Sequence, residues 1–203
     1  MECLLKSLLN KLLKMTALKF IILMIAVSIT CLSCVGNTSD QEATAEGFGV
    51  IENELKDKFG IHAYYTDLSI SYNKSVGNIV SVTVTENPES LKMGQWSLMK
   101  NSWNQNSDIT LEVPSGSRAS DFMFQLNEKI NLTKLGELVE KSSKQLTTEK
   151  QIENPTLDMA FVKFPKNGDI SKAEYSIILE PENGGTDFTF YYNLKGELLK
   201  MSY

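Results

Sequence analysis

Apolar positions along the chain fall into three regimes. Phe20 to Ile29 reads FIILMIAVSI, unbroken and directly behind Lys19. Farther on, Phe48, Ile51, Leu55 and Phe59 recur at helical spacing, with Glu52, Glu54, Lys56, Asp57 and Lys58 on the other faces and Gly60 after them as a stop. The period then drops to two. Leu68, Ile70 and Tyr72 alternate with serines, Val80, Val82 and Val84 alternate with Ser81, Thr83 and Thr85, and the polar Asn73–Asn78 link between them reads as a hairpin. Further alternating runs are expected over Gln95–Trp103, Ile109–Val113 and Phe122–Leu126.

A second helix is expected after the N-cap residue Asn131, with Leu132, Leu135, Val139 and Leu146 as its stripe. A polar stretch, Thr147–Asn154, runs to Pro155. Four strands should close the chain: Leu157–Phe164, Ala173–Leu179, Phe188–Leu194 and Glu197–Met201. The pairs Asn167-Gly168, Asn183-Gly184 and Lys195-Gly196 sit between them as turns. Strict alternation leaves one wet face on each strand, so the sheet should be antiparallel. The fold class expected is α+β, with antiparallel sheet and two helices. The order of elements suggests two tandem helix-plus-strands halves, 46–130 and 131–203. This layout resembles PepSY-type and β-lactamase-inhibitor-like modules in architecture alone, and the resemblance assigns no residues.

The N-terminal regime reads as an address. Ten apolar residues suit a signal-peptide core and fall short of the ~20 needed to span a bilayer as a helix. They end in Thr30-Cys31-Leu32-Ser33-Cys34, which resembles the lipobox of bacterial lipoproteins. The resemblance implies cleavage after Ser33 and acylation of Cys34. Ser33 suits the position before the cut better than Thr30 does, which favours Cys34 over Cys31 as the anchor. The tract Ser39-Asp40-Gln41-Glu42 resembles the serine-plus-acid export signal of Bacteroidota-type lipoproteins, with Ser39, Asp40 and Glu42 as its matching residues. That resemblance implies display on the outer membrane, facing outward; an acidic spacer without a sorting role is the alternative, and so is a lipoprotein facing the periplasm. Residues 1–33 are thus expected to be the signal peptide, with Met15 a possible true start. Residues 34–45 are expected to form a lipidated flexible tether, and 46–203 one α+β domain.

Charge and cysteine usage narrow the functions. The chain has 20 basic and 25 acidic residues; four lysines and Glu2 precede Cys34, which leaves a net charge near −8 from Cys34 onward. Arg118 is the one arginine. Such a surface repels phosphate backbones, so nucleic acid is not an expected partner. All three cysteines lie within the first 34 residues, so the folded part has neither disulfide nor thiol chemistry.

Motifs for catalysis are thin. His62 is the one histidine, no serine lies in G-x-S-x-G, and Gly47-Phe48-Gly49 lacks the strand and third glycine of a dinucleotide fingerprint. Asn167-Gly168-Asp169 lacks the ligand spacing of a calcium loop. No catalytic residue, metal ligand or cofactor is therefore expected. Carboxylates are numerous, and a hydrolase using a facing pair stays open as an alternative. Aromatic residues are more suggestive. Trp96 and Trp103 flank Ser97–Ser102, and Tyr64-Tyr65 and Tyr191-Tyr192 are adjacent pairs of which one ring each should face solvent. Trp96, Trp103, Tyr64 and Tyr191 are the candidate recognition surface, or else they finish the core and cover strand edges. The expectation is an envelope lipoprotein, held in the membrane by its lipid, that binds an unidentified protein or small ligand without catalysis. A structural or accessory subunit of an envelope complex is the other alternative.

Overall fold

Thr44 starts the first helix, α1 (Ala45–Phe59): its hydroxyl accepts from the Gly47 amide at 3.2 Å. Gly60 ends it with a φ of 88° and donates its amide to the Lys56 carbonyl. In this computed structural model the described residues are 37–203. The signal peptide, Cys34, Cys31 and the Met15 start lie outside them.

Strands β1 (Tyr64–Asn73), β2 (Gly77–Thr85), β3 (Lys92–Met99) and β4 (Ser102–Thr110) follow α1 as a meander. The second helix, α2 (Leu132–Lys150), is capped by Asn131, whose side chain accepts from the Lys134 amide at 2.8 Å. A second meander follows: β5 (Thr156–Lys163), β6 (Glu174–Glu180), β7 (Phe188–Asn193) and β8 (Leu198–Ser202). All eight strands form one antiparallel sheet in the order β4-β3-β2-β1-β5-β6-β7-β8. The two meanders thus join through their first strands, with Ser69 opposite Phe161 and Ile70 opposite Ala160. The fold is α+β, and the two helix-plus-strands halves share a single continuous sheet and core.

Three expected runs are corrected. Gln95–Trp103 is the end of β3 and the start of β4, broken at Lys100-Asn101, whose φ values are 50° and 59°. Two consecutive left-handed residues match a type I′ turn, which preserves the strand twist. β4 ends at Thr110, so Ile109–Val113 is not a separate strand. Phe122–Leu126 supplies only a single bridge, Phe124 to Tyr65, after a short 3₁₀ turn at Ala119–Phe122. Met123, Phe124 and Leu126 are buried all the same, and Phe124 stacks on Tyr65 at 5.8 Å and closes the sheet end.

The part of the expected tether that falls within the described residues, 37–45, lies against the body. Thr38–Asp40 forms a 3₁₀ turn docked on the sheet, with Thr38 and Ser39 buried. The Ser39 amide donates to Asn101 Oδ1 and the Asn101 amide donates to Ser39 Oγ, both at 3.0 Å. Asn78 Nδ2 donates to the carbonyls of Thr38 and Gln41. Those bonds tie the segment to the turns of both hairpins of the first meander, so residues 38–41 are part of the folded body.

Both helices cover one face of the sheet. Phe48, Ile51, Leu55 and Phe59 of α1 and Leu132, Leu135, Leu138, Val139 and Leu146 of α2 meet Leu68, Ile70, Val80, Val82, Ala160, Ile177, Phe190 and Tyr192. The helices touch closely. A Cβ built on Gly136 would lie 2.3 Å from the Thr44 carbonyl oxygen, which is backbone and has nowhere to go. Gly136→Ala should therefore push α1 off α2 and cost about 1–3 kcal/mol in a denaturant melt; an unchanged midpoint would show the crossing to be loose.

One acid sits inside this layer. Glu52, 8% exposed, accepts from the Leu132 amide at 2.6 Å with one carboxylate oxygen and pairs with Lys56 at 2.5 Å through the other. It thereby caps the first turn of α2 from α1. Tyr175 Oη accepts from the Asn131 amide at 3.0 Å beside it. Burial pushes the Tyr175 hydroxyl up to about 12, and the nearby Glu52 carboxylate adds to the effect. Burial raises Tyr65 and Tyr192 in the same direction. An unfolded tyrosine titrates near 10, so the folded chain holds these protons more tightly. Their stabilising contribution is complete below about pH 10 and is lost as pH climbs toward 12. Thermal melts across that window should show a falling midpoint, and a flat profile would mean the hydroxyls are solvated.

Candidate functional site

Among the described residues, no helix covers the face opposite α1 and α2. Its middle row can be followed across the sheet by strand register: Asn104, Ser97, Ser81, Ser69, Phe161, Ser176, Tyr191 and Lys200 lie side by side from β4 to β8. The next row reads Ile79, Ser71, Met159, Ile178 and Thr189. Ser69, Ser71, Ile79, Ser81, Ser97, Met159, Phe161, Ile178 and Tyr191 are all half-buried. Such a surface is neither core nor well solvated.

Chemically this face is neutral in its centre. Hydroxyls from three adjacent serines on β3, β2 and β1 run into the rings of Phe161 and Tyr191. Between those rings Ser176 is fully buried, and its hydroxyl has no hydrogen-bond partner. Charge stands at the margins. Lys163 pairs with Glu174 at 3.3 Å. The Nζ atoms of Lys163 and Lys200 lie 5.7 and 5.9 Å from the centre of the Tyr191 ring, drawn by its electron-rich π face. On β1, Asp67 stands opposite Thr83 beside a bulge. Desolvation by the neighbouring strands raises its carboxyl above the usual range, against a backbone hydrogen bond from Leu68. Among the described residues no group of three or more His, Cys, Asp or Glu side chains could hold a metal ion.

Of the four aromatic residues singled out by sequence, Tyr191 alone lies on the open face, on β7 next to the edge strand. Trp96 and Trp103 are on the helix side, edge-on to Phe59 at 5.7 and 5.0 Å, and Trp103 Nε1 donates to Glu54 at 2.8 Å. They seal the end of α1 against β3 and β4. Trp96 keeps one edge in a cleft of about 410 Å³ beside Gly94 and Asp108. Tyr64 packs on the small cluster of Met93, Ala119 and Met123, where the β4–α2 connection folds over one end of the sheet. The four do not form one surface, because the rings on β3 and β4 fall in register with Val82 and Leu98. In the export tract, Ser39 is buried while Asp40 and Glu42 are exposed. Phe161 and the serine row were not singled out by sequence. Their signal was the serine alternation itself, which gives a wet face but not its neighbours across strands.

Comparison with protein-family models and with curated proteins finds no match. Among solved structures, a candidate lipoprotein from Clostridium difficile 630 is similar at 16% identity, over 74% of this chain and 88% of that one, with a TM-score of 0.46.

Proposed function

We propose that this chain is a lipid-anchored protein of the bacterial envelope that binds a partner on its open sheet face and performs no catalysis of its own. Acylation at Cys34 follows from the lipobox-like sequence before it. Display on the outer membrane follows from the acidic tract, of which Asp40 and Glu42 are the exposed members. The single observation that supports binding is the row Ser97–Ser81–Ser69–Phe161–Ser176–Tyr191, which spans six strands and, around the fully buried Ser176, presents two half-buried rings and three half-buried serines. Small hydroxyls let a flat ligand or an extended segment approach the strands closely, and the rings give it an apolar floor. The one ion pair shown on this face, Lys163–Glu174, lies toward the margin and spends both charges on each other.

The test is capture by the acylated protein in its native envelope. Ser81→Arg and Tyr191→Ala should each reduce recovery of the bound partner about tenfold or more while the melting curve stays within the wild-type range. Lys144→Glu, on the solvent side of α2, should change neither. Equal recovery by all three variants would move the binding surface elsewhere.

A further inference from the structure

We infer that the end of the sheet holding the β1–β2 and β3–β4 turns lies against the bilayer that carries the anchor, on its phosphate-bearing anionic lipid headgroups. This rests on the reading of Cys34 as the acylated residue. The docked segment fixes where the chain leaves the body. Asn37 lines a polar cleft of about 440 Å³ together with Ser39, Tyr72, Lys74, Lys100 and Asn101. Only Val35 and Gly36 lie between Cys34 and Asn37, so the extended chain from one to the other reaches at most about 11 Å. Because Ser39 and Asn78 hold the docked segment against both hairpin turns, that short reach puts the lipid attachment at this end of the body.

The side chains found there match a bilayer surface. Tyr72 is 44% and Met99 41% exposed, two of the larger exposed apolar groups of the described residues. Lys74 and Lys100 are exposed beside them, and neither makes an ion pair among the described residues. Asp40 is the acid in the same cleft, hydrogen-bonded to Asn37 Nδ2. A tyrosine sits comfortably at headgroup depth, and lysines extend their ammonium groups to phosphate while laying their stems on lipid. Lysines close to an anionic surface are drawn to it by the surface potential. This places two cations at the membrane end of a body that is otherwise acidic.

The experiment uses the acylated full-length protein in vesicles of two parts phosphatidylcholine to one part phosphatidylglycerol. An environment-sensitive fluorophore is placed at Ser75→Cys in the β1–β2 turn, or at Lys144→Cys on α2, and quenched by a headgroup nitroxide lipid. Strong quenching at 75 and little at 144 is expected. Lys74→Glu with Lys100→Glu should lower quenching at 75 at least about twofold while the protein still floats with the vesicles. Flotation with equal or absent quenching at the two sites would overturn the orientation alone. Protein that does not float, or that takes up no labelled palmitate at Cys34, would overturn the anchor and the orientation with it.

Discussion

Removing Asp187–Tyr203 should abolish cooperative folding and leave an aggregating chain. The segment contains β7 and β8, and β7 contributes Phe188, Phe190 and Tyr192 to the core, the last two fully buried. Phe190 and Tyr192 stack at 6.4 Å, and Tyr192 Oη is 2.9 Å from the buried Ser142 hydroxyl of α2. Each large side chain is worth about 1.5–3 kcal/mol on burial, so the three together rival a whole domain's stability of about 5–15 kcal/mol. The deletion also bares the β6 edge, with Tyr175, Ile177 and Leu179 beneath it. The full 37–203 body should melt sharply in chelator and reductant, since no disulfide can form in it. A soluble, cooperative truncation would place the core in the first meander.

Glu52→Ala should be the most damaging single change near the helices, by about 3 kcal/mol. Its carboxylate joins α1 to the start of α2 through the Leu132 amide. Alanine would leave that amide buried without an acceptor, and a lost hydrogen bond to a charged group costs about 1.5–3 kcal/mol before the orphaned donor is counted. Lys56 is partly exposed and can turn to water, so its loss adds little. Glu52→Gln keeps one acceptor oxygen and should recover a good part of the stability. Urea midpoints of the two variants decide this. A change within about 0.5 kcal/mol for alanine, typical of an indifferent surface site, would show that α2 is capped without Glu52.

Much of this architecture was legible in the residues, and for identifiable reasons. Helix stripes and caps are local, so Phe48–Phe59, Gly60 and Asn131 announced both helices. Alternation announced most strands and one wet face per strand. The Lys100-Asn101 turn was hidden because neither residue is glycine, and both nonetheless adopt left-handed backbone. Buried Met123, Phe124 and Leu126 mimicked a strand because a connection that closes a sheet end also needs apolar residues. Glu52 looked like a solvent residue at its helical position; its role depends on a chain segment 80 residues later. The union of β1 with β5 is likewise non-local, and it alone puts Ser69 beside Phe161 and extends the open face across both meanders. The candidate surface was therefore readable as separate wet strands but not as a row.

Site-directed photocrosslinking in living cells tests the central claim most directly. A photoreactive residue at Ser81, in the middle of the open face, should yield one dominant crosslinked species, and the same residue at Lys144 on α2 should yield none. Crosslinks from Lys144 with none from Ser81 would contradict a binding role for the open face.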